Sequence, residues 1–214
     1  MCNSAYNRET IDMMTTPRIT VADIQAKMAT IDWTTLEIPK TNKGERGQLI
    51  EIALGIPNSS ALMDLADGEL KTFTIGESIA CTQLGHCLDE ISKDVSFSQS
   101  KLGMKMRQTV FVGFDKITGQ CKGNITINQT THPEHHHQLE EDYNFICNKI
   151  RVAMTYGNEL TTITGPNKLL QIRTKASKNP KTRLYTPLMF GKTMLKNKGM
   201  AFYLCASFGK KLLC

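Results

Sequence analysis

Acidic side chains are missing from the final stretch of this chain: no Asp or Glu occurs from Leu160 to the end. Long apolar runs are missing too. No stretch of about 18 apolar residues exists, which excludes a helix spanning a bilayer. The start lacks the basic-then-apolar pattern of a secretory leader, so a cytoplasmic protein is expected. The seven cysteines include no Cys-x-x-Cys pair, which argues against a zinc ribbon or a redox pair. Their odd number fits reduced, mostly buried thiols rather than a disulfide framework.

The absence of acids near the end leaves a strongly polarised charge distribution. Eleven of the 26 basic residues fall in the acid-free stretch: Lys168, Arg173, Lys175, Lys178, Lys181, Arg183, Lys192, Lys196, Lys198, Lys210 and Lys211. The preceding 159 residues hold 15 basic and 20 acidic groups, a net of −5. An acidic part able to hold a divalent cation, joined to a cationic part, suits a protein that acts on a polyanion. The basic residues alternate with strand-forming apolar runs instead of forming a solvated tail.

The richest chemistry lies between Ser60 and Phe73, where Asp64 precedes Glu69-Leu70-Lys71. A strand over Glu69 to Thr74 puts Glu69 and Lys71 on one face and sends Leu70 into the core. Asp67-Gly68 is a tight-turn signal, expected to end the strand or hairpin arm that carries Asp64. Two carboxylates and an ammonium would then converge. Carboxylates that hold Mg²⁺ and a cation that orients water are what phosphodiester hydrolysis requires. A surface ion pair on a hairpin would carry the same residues, so the rest of the chain has to decide.

Along the chain, Thr20 to Asp23 reads as a capping box opening a helix to about Ile31. A second helix is expected over Glu45 to Leu54, with Ile50, Ala53 and Leu54 inward and Glu51 at the edge of the stripe; Gly55 ends it. Strands are expected at 69–74, 109–114 and 124–128. The spacing Leu139, Tyr143, Ile146, Ile150, Met154 predicts a helix closed by Gly157. Later strands are expected at 159–163, 168–173 and 200–208. In the second of these, Gln171, Arg173 and Lys175 share a face, with Leu170 and Ile172 behind. In the third, Phe202, Leu204 and Phe208 face inward and Tyr203 faces away. Arginine suits guanine edges and a tyrosine ring can sense a base methyl, although Tyr203 as a half-buried packing residue is the plainer reading. His132-Pro-Glu-His-His-His137 offers imidazoles one turn apart for Zn²⁺, but it lacks outlying ligands and reads as a solvated helix entrance.

Four blocks together resemble the MutH family of DNA endonucleases, which includes GATC-cutting restriction enzymes. They are Asn42-Lys43-Gly44 with Gly47-Gln48-Leu49-Ile50-Glu51 and Leu54-Gly55; Asp64 with Gly68-Glu69-Leu70-Lys71-Thr72; Ser100-Lys101-Leu102 with Lys105-Met106-Arg107 and Val110-Phe111-Val112; and Leu170-Gln171-Ile172-Arg173-Thr174-Lys175-Ala176 with Ala201-Phe202-Tyr203-Leu204. They follow family order over roughly residues 40 to 208. The resemblance implies an α/β restriction-endonuclease-like fold: a mixed β-sheet flanked by helices in a single PD-(D/E)xK domain. It implies a catalytic lobe at about 20–130, a recognition lobe at about 131–214 and a DNA cleft between them. It further implies that Asp64 and Glu69 bind Mg²⁺ with the Leu70 carbonyl, that Lys71 positions water, and that Glu51 is the helical acid of the site. Lys43 and Arg107 or Lys105 would touch phosphates, Arg173 and Lys175 the recognition sequence, and Tyr203 the adenine methyl position. The family's Tyr-Leu-Lys-Lys becomes Tyr203-Leu204-Cys205-Ala206 here, losing two cations, and the aromatic set near the adenine is replaced around Ile79.

The expected activity is therefore Mg²⁺-dependent cleavage of double-stranded DNA, of restriction type at GATC. A mismatch-repair nickase acting at hemimethylated sites under a repair partner's control is the alternative, and a DNA-binding module without cleavage is the reading from another class. Cutting both strands would call for a homodimer on DNA or for sequential nicks.

Overall fold

Local signals set the first helix. Thr20 accepts a hydrogen bond from the Asp23 amide, and Asp23 accepts one from the Thr20 amide, so the expected capping box is formed. The computed structural model describes residues 18–33, 36, 43–175, 178–185, 188–190, 193–195 and 199–213. Helices α1 (Val21–Thr30) and α2 (Lys43–Leu54) precede strands β1 (Glu69–Thr74) and β2 (Ile79–Gln83). Two short helices, α3 (Leu88–Ser92) and α4 (Lys101–Met106), lead to β3 (Gln108–Phe114) and β4 (Cys121–Asn128). The long α5 (Pro133–Tyr156) is followed by β5 (Ile163–Thr164), β6 (Leu170–Thr174), β7 (Leu188–Phe190), β8 (Thr193–Leu195), β9 (Met200–Leu204) and α6 (Ala206–Lys211).

The strands form two main sheets. The first has the order β1-β3-β4, with β1 parallel and β4 antiparallel to β3. The second is antiparallel with the order β2-β9-β6-β5, and β7 and β8 pair as a separate hairpin. The protein is thus a mixed α/β structure of two sheets flanked by helices. The sheets are interleaved in sequence, because β2 lies among the first 130 residues yet pairs with β9.

Alternation along the first sheet divides the core. Leu70, Val110, Val112 and Phe114 pack against Ile24, Ile50 and Leu54 of α1 and α2. Phe73, Phe111 and Ile127 turn the other way, into a larger core shared with Tyr143 and Ile146 of α5 and Leu170, Ile172 and Phe202 of the second sheet. Buried Asp142 ties α5 to that sheet. Its carboxylate accepts from the backbone amides of Asn167, Leu169 and Leu170 at 2.7–2.8 Å. Gly165 is required beside it, since a β-carbon there would lie 2.2 Å from the Asp142 carboxyl carbon.

Several expected elements differ. Asp64 lies in an irregular bend rather than on a strand or hairpin arm. Asp67 holds that bend to α1, accepting from the Val21 amide at 2.8 Å. Ala53 is exposed, because only Ile50 and Leu54 keep the spacing that meets β1 and β3. α5 begins six residues before Leu139, with Pro133 in its first turn, where a missing N–H costs nothing. The histidines are only in part a solvated entrance: His137 is exposed, whereas His136 is buried against Phe97 and half-buried His135 packs on Phe208. Burial holds the His136 imidazole below its ordinary pKa. The strand expected at 159–163 shrinks to Ile163–Thr164. The one expected at 200–208 stops at Leu204, and Phe208 reaches the core from α6 instead. The thiols of Cys81, Cys87, Cys121, Cys147 and Cys205 are free, whereas Cys2 and Cys214 lie outside the described residues. Among the described residues no helix is long and apolar enough to cross a membrane.

Candidate active site

The parallel pairing of β1 with β3 fixes the centre of the site. Glu69 opens β1 opposite Thr109 and is 0% exposed. Such a carboxylate needs partners, since burying an unpaired charge is prohibitive. It has two. Its Oε1 accepts from the Lys71 ammonium and, at 2.6 Å, from the Lys105 ammonium on α4. Its Oε2 accepts from the Asp64 amide at 3.2 Å. Asp64 returns the contact along the chain, its Oδ2 accepting from the Leu70 amide at 3.2 Å. The irregular bend is thereby locked onto the first residues of the strand.

Lys71 is the hub. Its Nζ contacts Glu69 Oε1, lies 3.2 Å from the Leu70 carbonyl oxygen and stands 3.7 Å from Asp64 Oδ2. Two carboxylates and one backbone carbonyl therefore surround a single cationic nitrogen. Burial pulls the Lys71 pKa down, but Glu69 and Asp64 together outweigh it, and the ammonium stands above the ordinary lysine value. Glu51 approaches from α2. Burial raises its pKa first, the charges of Asp64 and Glu69 add to the rise, and Lys71 only partly offsets it. Cys81 on β2 lies close by, its thiol pushed up by burial to about 12, so it is a packing group and not a nucleophile.

Two cavities lie along β1 and β2, and of the groups just described only Cys81 and Lys105 line one of them. One, of about 720 Å³, is lined by Thr72 of β1 and by Ser78, Arg173, Lys175 and Tyr203. The other, of about 520 Å³, is lined by Cys81, His86, Lys101, Lys105 and Lys175, among others. Lys175 borders both. Arg173 and Tyr203 form a stacked pair, with the guanidinium carbon 5.1 Å from the ring centroid.

The structure thus gathers Asp64, Glu69, Leu70 and Lys71 at one point, with Glu51 near enough to feel their charges, and places Arg173, Lys175 and Tyr203 along the larger cavity. Arg107 belongs to neither group. It is exposed beside a separate hollow with Asp67, Gln108 and Asn128. Lys43 opens α2, and its side chain lies outside the described residues. Lys105, the alternative to Arg107 as a phosphate contact, is an immediate partner of Glu69. Its position four residues after Lys101, on one face of α4, was the available signal. Ser78 of the larger cavity left no trace in the sequence pattern. Among the described residues no three His, Cys, Asp or Glu side chains form a group able to hold a metal, so any cation here would depend on the Leu70 carbonyl as well as on the acids. No protein-family model matches the chain, and no curated protein matches it.

Proposed function

We propose that the chain is a sequence-specific, Mg²⁺-dependent DNA endonuclease of restriction type, cutting at GATC, with a restriction-endonuclease-like fold and DNA lying in a cleft between catalytic and recognition lobes. The observation that carries this reading is the set of three oxygens, from Asp64, Glu69 and Leu70, around the Lys71 ammonium. Oxygen donors of that kind fit Mg²⁺, which binds through one or two carboxylates and keeps its remaining positions for water and phosphate. A bound Mg²⁺ would supply charge neutralisation at the scissile phosphate and a more acidic water.

The protein's own groups take the other tasks. Asp64, Glu69 and the Leu70 carbonyl hold the cation. Lys71, freed from the carboxylates, orients the attacking water and offsets the charge that gathers on the phosphate. Lys105 keeps the Glu69 carboxylate aimed at the centre. Glu51 has a raised pKa and so accepts a proton more readily than an ordinary glutamate, as a base for the attacking water must. Arg173, Lys175 and Tyr203 face the base edges, and the lysines of the second cavity follow the backbone.

Digestion of unmethylated, hemimethylated and fully methylated DNA with Mg²⁺, followed by sequencing of the ends, tests this. Double-strand ends at one short sequence are expected from unmethylated DNA without any partner protein. Single nicks confined to hemimethylated DNA would favour the repair nickase, and sequence-selective binding with no product would reduce the chain to a binding module.

A further inference from the structure

Ser78 connects parts of the molecule that the sequence keeps far apart. It sits in the link between β1 and β2, four residues past the end of the strand that carries Glu69 and Lys71. Its hydroxyl oxygen accepts from Gln171 Nε2 at 3.0 Å and from Arg173 Nη1 at 3.4 Å. Both partners stand on β6, on the far side of β9, so the contacts pass over the central strand where Tyr203 pairs with Gln171. Gln171, Arg173, Tyr203 and Ser78 therefore form one half-exposed polar group on a face of the second sheet, and all but Gln171 line the larger cavity.

We propose that Gln171 is a base-reading residue with a preference for adenine, and that Ser78 is the positioning residue that holds Gln171 and Arg173 for the task; this rests on the nuclease reading above. Ser78 takes one hydrogen of the Gln171 amide. The second hydrogen and Oε1 remain, a donor beside an acceptor, which matches N7 and the N6 amino group of adenine in the major groove. The Arg173 fork matches O6 and N7 of guanine. Residues i and i+2 of a strand are separated by roughly 7 Å, and successive base pairs by about 3.4 Å. The two side chains thus address bases no more than about two steps apart. By anchoring both, Ser78 ties the reading face to the turn that leaves the cutting strand.

Selection from random duplexes with Ca²⁺ in place of Mg²⁺ reads the preference without requiring cleavage. The wild type should enrich an adenine and a guanine within a short site. Gln171→Ala and Ser78→Ala should both lose the adenine preference, by roughly tenfold in enrichment, and Ser78→Thr should restore it. Arg173→Ala should lose the guanine instead. An unchanged preference in Ser78→Ala or Gln171→Ala, with or without a lower melting temperature, would overturn the proposal, as would a wild type that enriches no sequence. Enrichment as expected without any product in Mg²⁺ would leave this inference standing and refute the endonuclease.

Discussion

Glu69 carries the greatest burden of any single residue, because one fully buried carboxylate balances two ammonium groups. Glu69→Ala should abolish cleavage while DNA binding persists. It should also lower stability by about 3 kcal/mol, as removal of one partner from a buried ion pair does. Thermal melting beside a filter-binding assay checks both parts, and cleavage retained by the variant would remove Glu69 from the site. Glu51 makes a different prediction. Its pKa is raised from 4.5, so the folded protein binds that proton more tightly than the unfolded chain does. The associated stability is present below the ordinary value and is lost as pH rises through the raised one. The charged form of Glu51 therefore works against folding. Glu51→Gln should melt higher than wild type at pH 7 and cut more slowly, with the melting advantage closing as the pH falls below 4.5.

At the level of elements, what could be read from the sequence followed the strength of the local pattern. β1 appears at the expected residues because Glu69 to Thr74 follows the Asp67-Gly68 turn signal, with Leu70 and Phe73 on opposite faces so that both sides of the strand are packed. α1 is announced by its capping box. β2 was invisible, since Ile-Ala-Cys-Thr-Gln is a weak strand sequence whose pairing is interrupted by a bulge between Ala80 and Thr82. The end of β9 was misplaced because Leu204 and Phe208 are separated by four, a spacing that suits a strand face and a helix face equally. The His-rich start of α5 looked solvated, for sequence does not reveal that Phe97 and Phe208 cover two of its rings. The convergence of Asp64, Glu69 and Lys71 was legible, whereas the approach of Lys105 depends on where α4 is laid across β3. The join between α5 and the second sheet rests on Asp142. Asp142→Ala would strip one buried and two part-buried amides of their acceptor, the buried one costing about 1–3 kcal/mol and the others less. Chemical denaturation should show a loss of several kcal/mol, and a loss below about 1 kcal/mol would mean that water replaces the carboxylate.

For the whole molecule, the polarised charge predicts how DNA affinity responds to salt. Lys101, Lys105 and Lys175 line one cavity, and Arg173 and Lys175 the other. If about six phosphates are engaged, affinity should fall roughly a thousandfold between 50 and 200 mM salt. A fluorescence-anisotropy series checks this, and a flat response would show that the cationic surface is not where DNA binds.

The pairing of β2 with β9 has a consequence for how the chain is made. Gln83 finds its partner in Ala201, so an edge formed early in translation waits until β9 has been made. Until then β2 presents open amides and carbonyls beside Phe73 and Cys81, the kind of surface that recruits other chains. Because β9 also pairs with β6, a chain that ends before β9 already holds Asp64 and Glu69 but lacks the stacked pair of Arg173 and Tyr203.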